Sequence, residues 1–327
     1  MRDGRWNVGA GVAGLLLGLA AGIGSAWAAD PVAVLTEIRP GKGEVRVKLG
    51  GESEWKAPAP LLSLRPGDQV RVTQDARAVI VFTGGRAPQT VQTASSPFTV
   101  QAPSAAGGGE KAQALMSSVT SFLLGKQEKP AYVSAYVPLS TRSVRLPPPV
   151  LLSPRDTRLL GTPVVFEWAG SESQKYGVRV FGPDNMLLWE QTGLPRKDVT
   201  YPASAPALKP GVRYAWELHA ERHPVQRGEF VLLPAADVTR VKQSLALLQP
   251  AAGSGQAGST TALFRAGYLA QEGLYQEARR ELLVAIAADP SEASLHQLLG
   301  HVYDRMGVKD LATDSFDEAR FLSAPRP

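Results

Sequence analysis

The carboxyl-terminal part of this 327-residue chain repeats itself with a period of 34 residues, which restricts the fold more than any other feature. At this offset small and large apolar positions coincide: Gly273 with Gly307, Ala278 with Ala312, Leu282 with Phe316, Ala285 with Ala319. Small residues let two antiparallel helices approach closely, and large apolar residues fill the next layer. The repeat therefore predicts stacked helix pairs, with an ordinary pair of α-hairpins as the alternative.

The repeat resembles the tetratricopeptide family, in which each copy is a pair of antiparallel helices. The second copy, from about Ala293, matches the family pattern at Leu299, Gly300, Tyr303, Gly307, Ala312, Phe316 and Ala319. The first copy matches at Ala266, Leu269, Gly273, Ala278, Leu282, Ala285 and Pro290. Arg265 stands where the family usually has a large apolar residue. We assign residues 259–327 to two such repeats and residues 236–249 to a capping helix.

The resemblance also implies a binding surface. In the family, the first helix of each pair lines a concave groove that takes a peptide or protein. By position, the groove residues of this chain are Leu263, Gly267, Gln271, Ser294, Gln297, His301, Asp304 and Arg305. Their mixed polar and charged character suits a protein ligand, and a solvated helix face is the alternative.

Two copies leave one helix without a cover, because each repeat buries its apolar face only against a neighbour and about three units are needed for stability. The helix before the repeats can cover the first copy. Only Ser-Ala-Pro-Arg-Pro follows the last helix, Leu311 to Leu322. We therefore expect this last helix to pack back on the rest of the chain or to pair with another chain.

Residues 31–102 alternate apolar and polar side chains in short runs such as GEVRVKLG and DQVRVTQ, which predicts an all-β module. The module resembles the FecR-type periplasmic β-domain at Trp55, Leu64, Gly67, Asp68, Val70, Thr73, Ala78, Ile80, Phe82 and Gly85. Gly84 replaces an Asp of the family pattern. Family members that regulate sigma factors carry a cytoplasmic domain before a membrane span. Here about seven residues precede the apolar run, so direct sigma-factor control is not expected.

Residues 103–149 are predicted to be a linker that contains one amphipathic helix. Its apolar stripe has helical spacing and consists of Leu115, Met116, Val119, Phe122 and Leu123. We expect this helix to pack on a neighbouring domain. A membrane-surface helix is the alternative, and the lack of a Lys/Arg run on the polar face disfavours it.

Residues 150–233 hold about seven strand candidates separated by turn signals every 8–12 residues, which favours a β-sandwich. Leu208, Pro210-Gly211 and Tyr214 have the spacing of a tyrosine corner, in which the phenol bonds back to upstream backbone. The segment resembles an immunoglobulin or fibronectin type III-like sandwich, with Trp168 in its core. The predicted fold is thus multidomain: two all-β modules followed by an all-α tetratricopeptide-like helical repeat.

The first 28 residues have the layout of a secretory signal peptide: Arg2 and Arg5, an apolar run, and the small-x-small site Ala26-Trp27-Ala28. Cleavage after Ala28 predicts a periplasmic or secreted protein, and an uncleaved membrane anchor is the alternative. The chain has no cysteine, which excludes disulfides and thiol catalysis. The net charge of +5 is spread among interleaved acids and bases, so a nucleic-acid partner is not expected.

No catalytic or metal motif stands out, and we expect no cofactor, no metal and no enzymatic activity. His219 and His223 are four residues apart, but they lie at a strand end beside Pro224 rather than on a helix. The sequence therefore favours an envelope scaffold that binds a protein or peptide. The alternatives are an envelope sensor that uses the FecR-like module and a protein that binds peptidoglycan or another cell-wall polysaccharide, for which Trp189 is a candidate platform.

Overall fold

The computed structural model describes residues 30–83, 88–101, 110–125, 148–195, 198–248 and 258–324. The predicted signal peptide lies outside these residues, as do most of the predicted 103–149 linker and the segment between the capping helix and the repeats. Within the described residues, β-sheets occupy the chain from Ala33 to Leu232 and five helices follow from Ala235 to Ser323. The predicted order, β-structure followed by a helical region, is confirmed.

The first β region consists of two sheets around one apolar core. Its strands are β1 (Ala33–Arg39), β2 (Val45–Lys48), β3 (Ser63–Leu64), β4 (Gln69–Val72), β5 (Arg77–Phe82), β6 (Gln89–Val91) and β7 (Phe98–Thr99). The sheet orders are β3-β1-β5-β6 and β2-β4-β7. Leu35, Ile80 and Phe82 meet Val47 and Val70 between the sheets. The other face of β1 and β5 carries apolar residues as well, so this sheet needs a second cover.

The second β region has a three-stranded sheet and a five-stranded sheet. Its strands are β8 (Val150–Ser153), β9 (Thr157–Leu159), β10 (Val165–Ala169), β11 (Tyr176–Phe181), β12 (Leu187–Leu194), β13 (Asp198–Thr200), β14 (Arg213–Ala220) and β15 (Gln226–Leu232). The orders are β13-β10-β8 and β12-β11-β14-β15-β9. Aromatic residues of both sheets share the core, with the rings of Phe166 and Trp216 4.9 Å apart. The Tyr214 hydroxyl accepts the Lys209 backbone N–H at 2.6 Å, the upstream bond that the sequence predicts.

The helices are α1 (Glu110–Gly125), α2 (Ala235–Leu247), α3 (Gly258–Gln271), α4 (Tyr275–Ala288), α5 (Ala293–Arg305) and α6 (Lys309–Ser323). The repeated glycines end the first helix of each pair, Gly273 at φ +75° and Gly307 at φ +72°, where a side chain would be strained. After each glycine the next N–H reaches back to the helix, Leu274 to Leu269 at 2.8 Å and Val308 to Tyr303 at 2.9 Å. This is the Schellman pattern, and it explains why the 34-residue period includes a glycine.

The second pair, α5 and α6, packs most tightly at Gly300. A Cβ atom at this position would lie 2.5 Å from the Phe316 ring. The close approach predicted from the small residues of the repeat is therefore present in this pair.

The last helix, α6, turns its small residues Ala312 and Ala319 inwards and a mostly charged surface outwards. The exposed residues are Lys309, Asp310, Asp314, Asp317, Glu318, Arg320 and Phe321. Leu322, near the end of α6, lines a cavity together with Ile38 and Pro40 of the first β region. The helix thus reaches the β-structure at its C-terminal end, and its exposed face is charged except for Phe321, which is 75% exposed. Pairing with another chain stays a prediction.

Among the described residues, none of the helices combines the length and the apolar character that a membrane crossing requires.

Replacement of Gly300 by Ala tests the packing of the repeat. The added methyl overlaps the Phe316 ring, and overpacking of this kind costs about 1–3 kcal/mol. The gain in helix propensity, about 1 kcal/mol, offsets part of this cost. We expect a net loss of about 1 kcal/mol in urea unfolding. Asp314→Ala, on the exposed face of α6, is the control and should be neutral or slightly stabilising. An equal gain for both variants would contradict the close approach.

Candidate functional site

The residues predicted to line a binding groove lie on α3 and α5, and other parts of the same chain cover much of that surface. We call it the inner face. Helix α1 packs against α3, and strand β1 packs against both α3 and α5. One apolar core joins Val34 and Val81 of the first β region, Val119 of α1, Leu263 of α3 and Leu298 of α5. In this structure, other parts of the same chain therefore cover much of the inner face.

Helix α1 sits closely on α3. Val119 and Leu123 are fully buried there. A Cβ atom on Gly267 would lie 3.1 Å from Val119 Cγ1 and 3.3 Å from Leu123 Cδ2, so glycine gives α1 its room. Gln271 Nε2 donates a hydrogen bond to Ser118 Oγ at 2.7 Å. The expectation that the amphipathic helix packs on a neighbouring part of the chain agrees with this contact.

A second α1 contact ties the helix to the first β region. The Ser117 hydroxyl donates to the carbonyl oxygen of Thr83, one residue past β5. Burial of the Val119 and Leu123 side chains contributes about 2 kcal/mol each. We call the site formed by Gly267 and Gln271 of α3 and by Thr83 the seat of α1. It fits Val119 and Leu123 closely, while Leu115, Met116 and Phe122 are buried only in part.

The predicted groove residues divide into two groups. In the first copy, Leu263 is buried, Gly267 touches α1 and Gln271 bonds to it. In the second copy Ser294 is fully buried. The remaining four residues lie on α5 at partly or fully exposed positions: Gln297, His301, Asp304 and Arg305. Their partner-binding role stays a prediction, and in this structure Leu263, Gly267 and Ser294 are not open to a second molecule.

The exposed group on α5 is held in place by local contacts. Gln297 and His301 are hydrogen bonded at 3.3 Å. The His301 ring meets the Phe316 ring edge to face, with centroids 5.0 Å apart. Asp304 accepts a hydrogen bond from Lys309 Nζ at 2.6 Å. Arg305 is exposed at the end of the helix.

Strand β1 contributes a polar side of the inner face through a β-bulge. The register with β5 shifts between Leu35 and Glu37, which aims two consecutive polar side chains at α3. The Glu37 carboxylate is fully buried and accepts hydrogen bonds from Thr260, at 2.5 Å from Oγ1 and 3.1 Å from the backbone N–H. Arg77 and Arg39 approach Glu37 Oε2 at 3.2 and 3.5 Å. The buried charge is therefore paired and hydrogen bonded.

Glu292 lies next to this cluster and caps the N-terminus of α5. Its Oε1 accepts the Ser294 N–H at 3.2 Å, while Oε2 is buried without a hydrogen bond. Burial, with the nearby charge of Glu37, raises the pKa of Glu292 to about 8. The Arg39 guanidinium, 4.0 Å from Oε2, is too distant to offset that burial. The Glu292 carboxyl is accordingly protonated at neutral pH.

The opposite end of the helix pairs is held by the second β region. The Arg158 N–H donates to the Gly273 carbonyl at 2.9 Å. Glu277 Oε1 accepts the Leu160 N–H at 2.8 Å, and burial raises the pKa of Glu277. Arg279 pairs with Glu167 at 2.6 Å. The helical region therefore contacts the first β region through α3 and α5 and the second β region through α4.

The remaining sequence candidates have structural neighbours. His219 contacts Glu217 at 3.0 Å. Trp189 is half-buried, with its ring 5.7 Å from that of Tyr201 in the core of the second β region. In the part of the chain that the structure describes, no group of three or more His, Asp or Glu side chains is arranged to hold a metal ion.

Sequence reasoning did not find Glu37, Thr260 and Glu292 as parts of an interface. One signal was present: Thr36-Glu37 interrupts the otherwise apolar strand AVLTEIR. A charge inside a strand that is buried on both faces requires a partner. The identity of that partner depends on a contact across 223 residues of chain, which no local pattern encodes.

The Glu292 carboxyl predicts a pH dependence of stability. The pKa is about 8 in the folded chain and 4.5 as the ordinary value. Between these values the folded state keeps a proton that the unfolded state loses, so stability falls as the pH rises from 5 to 8. The slope approaches 1.4 kcal/mol per pH unit at most.

We expect Glu292→Gln to remove this part of the slope and to be more stable than the wild type at pH 8. Urea unfolding at pH 5, 6, 7 and 8 measures it. Glu318→Gln, which changes an exposed carboxylate on α6, is the matched control and should keep the wild-type slope. Parallel curves for the wild type and Glu292→Gln would refute the assignment.

Comparison with known proteins gives no family for the chain: no protein-family model matches it, and no curated protein matches it either.

Proposed function

We propose that this chain is a non-enzymatic binding and scaffold protein of the cell envelope. The observation that carries the proposal is the inner face of α3 and α5, which holds a helix through apolar contacts, a glycine-made recess and a side-chain hydrogen bond. A surface that binds one amphipathic helix has the chemistry to bind others. The proposed modules are a FecR-like β-domain, an immunoglobulin-like sandwich and two tetratricopeptide-like repeats.

The proposed partner is an envelope protein or peptide, and the proposed location is the periplasm or the exterior. The chemistry of the described residues is consistent with binding rather than catalysis. The buried carboxylates cap helices or bond backbone groups, as Glu292 and Glu277 do. The proposal includes no cofactor and no nucleic acid.

A sensor role is the second candidate, and one observation favours it. The first β region touches the helices through a buried cluster, in which Glu37 bonds Thr260 and Arg39 contacts Asp289. A ligand that shifts β1 would change the cover of the inner face. Polysaccharide binding has less support, because the Trp189 side chain is partly buried and packs against the core of the second β region.

Affinity capture from envelope extract tests the scaffold proposal without removing any part of the core. We expect Arg305→Glu, on the exposed end of α5, to reduce recovery of a specific partner by about tenfold, the effect of losing one important charge at an interface. Arg320→Glu on α6 is the control, since it also reverses the charge of an exposed arginine but lies away from the predicted surface. Identical partner lists for the wild type and Arg305→Glu would reject recruitment through α5. A pull-down on insoluble cell wall that recovers no protein would reject the polysaccharide candidate.

N-terminal sequencing of the protein isolated from cells tests the location. Cleavage of the predicted signal peptide gives a chain that starts at Ala29. A chain that keeps its first residues and sediments with membranes would instead favour the anchored sensor.

A further inference from the structure

We propose that α1 is an exchangeable internal ligand, and that its seat on α3 binds an amphipathic helix of a partner protein in its place. The partner helix carries apolar residues at the spacing of Leu115, Val119 and Leu123, which is i, i+4 and i+8. This inference rests on the proposed binding function and specifies the class of partner.

The seat has the features of a helix-binding site. Because Gly267 has no side chain, it leaves a recess on α3. Val119 and Leu123 of α1 come within 3.1 and 3.3 Å of the position that a Cβ atom on Gly267 would occupy. Gln271 supplies a hydrogen-bond donor at the rim of the recess. On the other side, Thr83 offers its carbonyl oxygen to Ser117. Close packing at the centre and polar groups at both edges are typical of helix-in-groove recognition.

The chain on both sides of α1 allows the helix to leave. Residues 102–109 separate it from the first β region, and residues 126–147 separate it from the second. These are 8 and 22 residues long. At about 3.3 Å per residue, the shorter segment reaches at most about 26 Å, which sets the limit, and the longer one about 70 Å. Release of α1 therefore requires no displacement of either β region.

Part of the apolar stripe of α1 also stays exposed, which favours exchange. Of its apolar stripe, Val119 and Leu123 are fully buried, while Leu115, Met116 and Phe122 keep part of their surface exposed. An outside helix has to compete with a tethered one, whose effective concentration is on the order of millimolar. A partner thus needs a better match to the seat than α1 has, or a second contact such as the exposed group on α5.

The seat also limits the chemistry of the partner. Thr120 of α1 is fully buried next to Val119, and Ser117 and Ser118 make the polar contacts. The position of Thr120 must therefore carry a small, uncharged residue. A helix with lysine or glutamate at the places of Val119 or Thr120 would bury an unpaired charge and is excluded.

A labelled peptide with the α1 sequence, Glu110 to Gly125, is the probe, and fluorescence anisotropy is the measurement. In the full chain, Val119→Asp with Leu123→Asp removes α1 from its seat. We expect this double variant to bind the peptide at least about tenfold more tightly than the wild type, because the tethered competitor is gone. A peptide with the same two aspartates is the control and should not bind.

A disulfide lock supplies the opposite change and does not depend on the stability of the double variant. The chain has no cysteine, so Val119→Cys with Gly267→Cys introduces a single pair. The short distance between Val119 Cγ1 and the Gly267 Cβ position suits a disulfide, whose Cβ atoms are about 3.8 Å apart. Gly267→Cys also narrows the recess, so the probe for this variant is an α1 peptide with Val119→Ala, which leaves room for the added thiol. We expect the oxidised protein to bind no peptide and the reduced protein to bind this one.

Three results would overturn the exchange: equal peptide binding by the oxidised and reduced lock, no binding by the reduced lock at millimolar peptide, or no binding by a folded double variant. Failure of the scaffold proposal has a different signature. In that case the peptide still exchanges, while capture with Arg305→Glu and with wild type gives the same proteins.

Discussion

The contact on which the rest of the structure depends is the burial of the inner face of α3 and α5 under β1 and α1. The first β region has one core between its sheets and the second has another. The third core is shared: it takes side chains from the β1–β5 sheet, from α1 and from all of the helical region. A helical array with two pairs lacks a neighbour on one side, and apolar burial against the sheet replaces the neighbour that a longer array would provide.

This shared core has a polar border with unusual electrostatics. The β1 bulge places Glu37 against Thr260, and Glu292 lies buried beside it with one oxygen unpaired. An unpaired charge in this buried position would lower the stability of the fold, and the two carboxyl groups avoid that cost in different ways. Glu37 stays among Arg77, Arg39 and the hydroxyl of Thr260, whereas Glu292 keeps a proton because burial raises its pKa. The docking of the first β region is thus linked to pH through Glu292.

Much of the fold follows from local patterns, and the contacts between regions do not. Gly273 and Gly307 coincide in the repeat and close their helices in the left-handed conformation, and the Tyr214 spacing predicted a bond to upstream backbone, which is the N–H of Lys209. The cover of the inner face was not predictable in this way. The repeat pattern predicts contacts between helices that lie within about 34 residues of each other. The contact between α1 and α3 joins residues more than 140 positions apart, such as Ser118 and Gln271. Gly267 was a sign: a glycine inside a helix lowers helix stability, and the close packing of α1 against it compensates for that cost.

The second β region makes exchange at the inner face compatible with a stable helical array. Its contacts, Arg158 with Gly273, Leu160 with Glu277 and Glu167 with Arg279, lie at the turn between α3 and α4 and on α4, and none of them involves α1. The pair α5–α6 has packing of its own as well, since Gly300 meets Phe316 in a contact between these two helices. Loss of α1 would uncover a preformed recess rather than unfold it. Affinity for an outside helix would then be set by competition with the tethered one, so that a change in α1 alters binding as effectively as a change in the seat.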